Sequence, residues 1–224
     1  MTLRRSLGAF SLALLAAAPL SAQMNGAKEH DPDIKVNGGA LPTGWMGRTD
    51  RPNQKLEDAK FVVMGPGFHV TSGPAAIYWR DAGTTTGPFT ASATFTQTKA
   101  PTHPEAYGIF FMGKDLQAPN QNYAYFLVRG DGKVMVKHRA GSEVHTILGW
   151  TESEAVHKQD ADGKATNTLA VDASKPDSVR LLVNGSEVAA IPTSQFGTPD
   201  GIVGLRVNHN LDVHVADFNV TPAK

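Results

Sequence analysis

Cysteine is absent from all 224 residues of the chain. The absence excludes a disulfide framework, a thiolate nucleophile and a cysteine-bound metal. The fold must therefore be stabilised by a hydrophobic core. A chain of this length is long enough to bury such a core within a single β-domain.

An excess of charge of one sign is also missing, since 21 basic residues balance 21 acidic ones. Proteins that bind nucleic acids usually carry a basic excess, so the balance argues against a nucleic-acid partner. Long apolar runs are missing too. The longest, Leu7 to Leu20, is too short for a transmembrane helix, and we expect no membrane span.

That apolar run has the pattern of a secretory signal peptide. Arg4 and Arg5 precede it, and small residues follow it up to Ala22. We therefore interpret residues 1–22 as a signal peptide cleaved after Ala22, which predicts an exported protein, periplasmic or extracellular. Cleavage would remove two arginines and leave a formal charge of −2.

Helical periodicity is absent from the remainder, which alternates in the manner of β-strands. Residues 23–54 are rich in Gly, Pro, Asn and charge and are interpreted as an extended leader with one short strand near Trp45. The clearest alternation is Phe89–Gln97. Asn184-Gly185 indicates a tight hairpin, and a bulge is expected near Ala216 and Asp217. About a dozen short strands over residues 55–224 predict an all-β, two-sheet antiparallel sandwich or jelly roll.

A three-stranded meander is predicted between Asn122 and Trp150. Asp131-Gly132 suits a two-residue type I′ turn, which would place Tyr125 opposite His138. Gly141-Ser142 suits a type II′ turn, which would place His138 opposite His145. A turn of three or more residues in either place would shift this register.

The predicted register gives the meander two different faces. One is mostly apolar, interrupted by Lys137 and Arg139, and we expect it to pack in the core. The other is expected to meet solvent or ligand. Its aromatic and polar residues surround an apolar stripe of Leu127, Val136 and Ile147, and they are Tyr123, Tyr125, Arg129, His138, Glu143 and His145.

The strand order resembles a known superfamily. The segments that carry the resemblance are Tyr107-Gly-Ile-Phe-Phe, Asn122-Tyr-Ala-Tyr-Phe, Gly130-Asp-Gly-Lys-Val, Val179-Arg-Leu-Leu-Val-Asn-Gly, Gly201-Ile-Val-Gly-Leu and Ala216-Asp-Phe-Asn-Val. They are similar to concanavalin A-like lectins and glucanases, in particular laminin-G-like jelly rolls and secreted domains grouped with 3-keto-disaccharide hydrolases. The resemblance implies two curved antiparallel sheets whose concave face meets glycans. The paired-acid motif of the catalytic glucanases is absent, so no catalytic residue is carried over.

The aromatic face suggests carbohydrate binding. Tyr123 and Tyr125 are candidates for stacking on a sugar ring, and His138, His145 and Glu143 for hydrogen bonds to its hydroxyls. Arg129 would add planar donors. A packed pair of histidines is the competing interpretation. A metal would need a third ligand besides these histidines, so we predict neither a metal nor a cofactor.

A second candidate site follows the meander, where Glu152, Glu154 and His157 lie beside Trp150. Two carboxylates with a histidine are what acid–base hydrolysis requires, although acids on a loop are more often solvated. The leading hypothesis is thus an exported, non-catalytic carbohydrate-binding jelly roll. The alternatives are a glycoside hydrolase acting on 3-keto-disaccharides or related sugars, and a structural or protein-adhesion domain.

Overall fold

The computed structural model describes residues 31–223. The predicted signal peptide and residues 23–30 of the leader lie outside them. Contacts divide the chain after Asp31, and the architecture below is that of the segment from Pro32 onward.

Fifteen β-strands and three short 3₁₀ turns make up the regular structure of the described residues. The 3₁₀ turns are Leu56–Asp58, Asp81–Gly83 and Thr193–Gln195. The strands are β1 Met46–Thr49, β2 Ala59–Val63, β3 Gly67–Ser72, β4 Ala76–Trp79, β5 Thr84–Thr85, β6 Phe89–Gln97, β7 Ala106–Lys114, β8 Asn122–Arg129, β9 Lys133–Ala140, β10 Glu143–Glu152, β11 Ala165–Ala173, β12 Ser178–Val183, β13 Ser186–Pro192, β14 Gly201–Val207 and β15 Asp212–Pro222. The predicted all-β class is confirmed.

The strands form two antiparallel sheets. Sheet A has the order β1-β4-β14-β7-β8-β9-β10, and β5 also pairs with β14. Sheet B has the order β13-β12-β11-β6-β15-β3-β2. The sheets pack face to face as a sandwich, which confirms the predicted jelly-roll architecture.

The core between the sheets follows from the alternation in β6. Phe89, Ala91, Ala93 and Phe95 are all buried, and the small polar residues between them, Thr90, Ser92 and Thr94, face outward. Phe95 of sheet B stacks on Tyr107 of sheet A with ring centroids 5.2 Å apart. Burying side chains of this size contributes about 1.5–3 kcal/mol each, and these contacts hold the two sheets together.

Sheet A is buried on its other face as well. Every residue from Ala106 to Gly113 in β7 is buried, which explains why β7 is a continuous apolar run. A second apolar cluster covers the face turned away from sheet B, which we call the outer face of sheet A. Its buried members are Ile77, Trp79, Ala106, Phe110, Leu116, Tyr123, Tyr125, Leu127 and Met135.

The register predicted for the first meander hairpin is wrong by one residue. Arg129 pairs with Lys133, so the loop holds three residues, and the Gly132 N–H donates to the Arg129 carbonyl at 3.0 Å. Gly132 has φ +91° while Asp131 has no positive φ, whereas a type I′ turn requires positive φ at both positions. Tyr125 therefore lies opposite Lys137, and His138 lies opposite Ala124.

Three other local predictions are confirmed. His138 pairs with His145 across the Gly141-Ser142 turn. Asn184-Gly185 forms a tight hairpin with positive φ at both residues. The bulge expected near Ala216 and Asp217 lies between Ala216 and Asn219.

Candidate functional site

The one-residue shift moves the two tyrosines away from the histidines. Tyr123 and Tyr125 lie on the outer face of sheet A and are only 1% and 4% exposed. Tyr123 packs against Phe110 and Tyr125, at centroid distances of 5.4 and 5.7 Å. Burial raises the pKa of Tyr123 to about 12 and also raises that of Tyr125. Rings buried to this extent support the residues that pack over them. Their burial does not fit the prediction that they stack on a sugar ring.

A buried ion pair covers these tyrosines. Arg206 of β14 stacks over the Tyr125 ring, with its Cζ 4.6 Å from the centroid. Its Nη1 and Nη2 donate to the two carboxylate oxygens of Asp50 at 2.8 and 2.7 Å. Burial opposes ionisation of Asp50, but the attraction and hydrogen bonds of Arg206, with a smaller contribution from Arg139, lower its pKa. Asp50 is therefore a fixed carboxylate at neutral pH.

A contact between Asp50 and a distant strand shows that the outer face of sheet A is concave. Arg139 of β9 brings its Nη2 to 3.8 Å from Asp50 Oδ2. Asp50 directly follows β1, and four strands lie between β1 and β9. In a flat sheet those two strands would be about 24 Å apart, more than the two side chains can span. The sheet must therefore curve, with this face on the inside.

The loop between β7 and β8 closes over one side of the concavity. Arg48 of β1 donates from Nη1 to the carbonyls of Leu116 and Ala118, at 2.8 and 2.6 Å. The Gln121 carbonyl accepts a 2.7 Å hydrogen bond from the Gly141 N–H. The loop is thus tied to β1 on one side and to the β9–β10 turn on the other.

A cleft of about 630 Å³ remains between these segments. We call it the arginine cleft. This volume lies within the range of small-molecule sites. Its lining residues are Arg48, Thr49, Asp50, Arg51, Pro52, Gln117, Pro119, Gln121, Arg139, Gly141 and Ser142.

His138, Glu143 and His145 lie outside the arginine cleft. His138 shares a face with Ala124 and Val136, which point towards sheet B, so the expected common face with Tyr123 and Tyr125 is wrong. Its Nε2 lies 3.0 Å from Asn122 Oδ1, and burial, with a smaller effect of His145, lowers its pKa. His145 is exposed and lies 3.4 Å from Glu143. Ligand contact by these residues stays a prediction.

Arg129 lies at the far end of β8 from Asn122. Its Nε and Nη2 donate to the Asp131 carboxylate at 2.8 and 2.6 Å. Its Cζ lies 4.4 Å from the centroid of the Trp150 ring. These contacts stabilise the three-residue hairpin loop, and they hold the Arg129 guanidinium in place without a ligand.

The second candidate set is dispersed along β10 and the loop after it. Glu152 pairs with Lys133 at one end of β10, while His145 pairs with His138 at the other. The His157 Nδ1 lies 3.0 Å from the Thr166 carbonyl, and its backbone N–H donates to Asn167 Oδ1. Glu152 and Glu154 line a separate shallow pocket with Gly132, Ser153 and Lys158. The histidine pair and Glu152 therefore do not share a site.

The arginines of the cleft are not among the residues predicted from the sequence to bind a ligand. The predicted register turns Arg139 and Lys137 towards the core because it contains a hairpin loop one residue shorter than the observed one. The signal was nevertheless present, since two cations in a strand predicted to be buried indicate that its true orientation is reversed. Arg206 within the apolar strand β14 is a second such signal.

Across residues 31–223 no helix is long and apolar enough to cross a membrane.

No family model and no curated protein matches the chain. Solved structures with the same fold do match it. The carbohydrate-binding module CBM66 from Bacillus subtilis has a TM-score of 0.58 at 15% identity and covers 85% of this chain and 99% of its own. A GH16 protein from a Bacteroides ovatus mixed-linkage glucan locus, solved with a product, has a TM-score of 0.55 at 9% identity, covering 84% and 99%.

A third structure, a Bacillus subtilis protein of unknown function with a galectin-like fold, has a TM-score of 0.53 at 13% identity and covers 79% of this chain and 88% of its own. At these identities the similarity concerns the fold. The jelly-roll fold that the strand order implied is thereby confirmed.

Proposed function

We propose that the chain is an exported, non-catalytic carbohydrate-binding protein whose ligand occupies the arginine cleft. The observation that carries the proposal is the lining of the cleft. It opens on the concave face of sheet A and presents guanidinium, amide and hydroxyl groups from three separate segments. Sugar hydroxyls both donate and accept hydrogen bonds, so they suit a cleft lined in this way.

The rigidity of the cleft supports binding. The ion pair of Arg206 and Asp50 fixes its inner wall, and the β7–β8 loop is tied down on both sides. Donors that are already held in place lose little conformational entropy when a ligand arrives. A structural neighbour is a carbohydrate-binding module, which is consistent with this use of the fold.

The acid content of the cleft favours binding over hydrolysis. Asp50 is the one acid among its described lining residues. Glycosidases usually need two carboxyl groups flanking the scissile bond, and one of them must release a proton. Asp50 is bound by both guanidinium nitrogens of Arg206, and its lowered pKa makes it a poor proton donor.

Binding can be tested with a glycan array probed by the full chain. We expect wild type to bind a defined set of glycans. Gln117→Ala, at an exposed position of the cleft, should weaken binding by about fivefold or more through lost hydrogen bonds. Arg180→Ala is the control, because Arg180 lies on sheet B and pairs with Glu187.

Two outcomes would contradict the proposal. One is an array without a single bound glycan, and the other is equal loss of binding in Gln117→Ala and Arg180→Ala. Hydrolysis of the bound glycans, or of 3-keto-glycosides, would replace the binding function by the glycosidase alternative. N-terminal sequencing of secreted protein checks export, which requires a mature chain that begins after Ala22.

A further inference from the structure

The arginine cleft carries more positive charge than a neutral sugar needs. Among the described lining residues, Arg48, Arg51 and Arg139 stand against the single acid Asp50. The chain as a whole has a formal charge of zero, so this local excess is not a consequence of composition. Charge of one sign within a cleft focuses the electric field on its interior and attracts ligands of opposite sign.

The negative charge of Asp50 is balanced by Arg206. Both of its oxygens accept hydrogen bonds from Arg206, which is buried beneath the cleft and adds a further cation. Arg48 and Arg51 form no ion pair with any described residue, and the Arg48 guanidinium donates only to the neutral carbonyls of Leu116 and Ala118. The network therefore leaves a net positive cleft.

Arg139 is a largely buried cation of the cleft with an unsatisfied hydrogen-bond donor. Its side chain is only 11% exposed, and within residues 31–223 its single ionic contact is the 3.8 Å approach to Asp50. Its Nε is buried and makes no hydrogen bond to any atom of the described residues. A guanidinium has five N–H donors, and leaving a buried one unsatisfied costs free energy. An anionic group that contacts the part of Arg139 lining the cleft would supply the counter-charge that the 3.8 Å approach to Asp50 provides only weakly.

We propose that the arginine cleft selects glycans that carry an anionic group, a carboxylate or a sulfate ester, and that Arg139 binds this group. This rests on the proposed carbohydrate-binding function and specifies its ligand class. The planar fork of an arginine matches two oxygens of one carboxylate or sulfate. Arg51, exposed at the mouth, supplies a second cation.

The test uses the full chain and immobilised acidic polysaccharides. Each uronate polymer is presented beside its carboxyl-reduced form, and each sulfated polymer beside its desulfated form. We expect wild type to bind at least one acidic polymer about tenfold or more tightly than its neutral counterpart. The preference should decrease with rising NaCl concentration. Preference for the sulfated member alone supports the anionic site and identifies its ligand group as a sulfate ester.

Substitutions of single arginines test where the anionic group of the glycan binds. Arg139→Gln should abolish the preference for the acidic member, and Arg139→Lys should restore part of it. Arg51→Gln, at an exposed position, should reduce the preference without affecting folding, so it remains informative if Arg139→Gln unfolds. Arg180→Gln on sheet B is the matched control and should retain the preference.

Three outcomes would overturn the inference, and they differ from each other. Equal binding of acidic and neutral partners rejects the anionic ligand but leaves carbohydrate binding intact. A preference that both Arg139→Gln and Arg51→Gln retain places the anion site elsewhere. Binding to no polymer at all rejects the proposed function itself.

Discussion

Individual side chains decide what the outer face of sheet A does. Tyr125 and Tyr123 appear in the sequence as a pair of aromatic residues on one face of a strand, a pattern that suits a sugar platform. In the fold, Arg206 lies over Tyr125 and the rings are almost fully buried. They support the ion pair that forms the wall of the arginine cleft, and the guanidinium and amide groups above them are the groups available to a ligand.

Substitution of Tyr125 by alanine should therefore destabilise the protein. The change removes a buried ring that packs against Tyr123 and Arg206, and the loss should be about 3 kcal/mol in the free energy of unfolding. Tyr125→Phe keeps the ring and should cost much less. Urea denaturation followed by tryptophan fluorescence measures both. A fully stable Tyr125→Ala would show instead that the ring is a solvent-facing platform.

Removing the charge of Asp50 should have a larger effect. Asp50→Asn leaves the buried Arg206 without a counter-charge, which should cost about 3–5 kcal/mol. The control is Glu187→Gln, which breaks an exposed ion pair with Arg180 and should change stability little. Similar effects of the two substitutions in urea titrations would argue against the structural role of the Asp50 ion pair.

The stability that comes from Asp50 should also depend on pH. Its pKa is lower in the folded protein than the value of about 3.9 in an unfolded chain. Its contribution is therefore fully present above pH about 3.9 and is lost as the pH falls through the folded pKa. Unfolding free energies measured across acidic pH should show this decrease in wild type and a smaller one in Asp50→Asn.

At the scale of elements, the β8–β9 hairpin determines which residues share a face. One extra loop residue, Gly130, reverses the orientation of every later side chain in β9 relative to β8, because successive side chains in a strand point to opposite faces. Lys137 and Arg139 thereby join the tyrosines, and His138 joins the core side. A local turn thus decides which charges reach the concave face.

The register can be checked by crosslinking, since the chain has no cysteine of its own. Asn122 lies opposite Ala140, so the double variant Asn122→Cys, Ala140→Cys should form a disulfide under mild oxidation. The two-residue turn predicted from the sequence would instead place Asn122 opposite Gly141. Alkylation followed by mass spectrometry compares the first pair with Asn122→Cys, Gly141→Cys. Preferential oxidation of the second pair would contradict the observed register and support the two-residue turn.

At the scale of the whole molecule, residues 32–34 are held against the loop between β14 and β15. The Ile34 N–H donates to Asn210 Oδ1 at 2.7 Å, and Asn210 Nδ2 donates to the Pro32 carbonyl at 3.0 Å. His209 lies between two acids, with Nε2 2.8 Å from Glu105 and Nδ1 3.3 Å from Asp33. The hydrogen bond to Glu105 is the main reason that the pKa of His209 is raised.

This arrangement predicts a second pH dependence. Because the pKa of His209 is higher in the folded state than the value of about 6.5 in an unfolded chain, its stabilising contribution is complete below pH about 6.5. The contribution is lost as the pH rises through the folded pKa. Unfolding free energies should fall across this range in wild type and not in His209→Asn. The exposed His103→Asn is the control, and an unchanged profile in His209→Asn would contradict the assignment.

The sequence by itself determined the strands, most of the turns and the fold. The alternation in Phe89–Gln97, the Asn184-Gly185 hairpin and the bulge near Asp217 are local features, set by side-chain period and backbone conformation over a few residues. The strand order then sufficed to indicate the jelly roll. Interactions of this short range are readable in a single sequence.

Only the tertiary structure decided where the candidate site lies. Asp50, Arg139 and Arg206 come from distant parts of the chain, and they meet because sheet A curves. Curvature and loop closure depend on the packing of the whole sandwich, and a one-residue difference in one hairpin exchanges the two faces. The arginine cleft is thus a consequence of global geometry that no local pattern specifies.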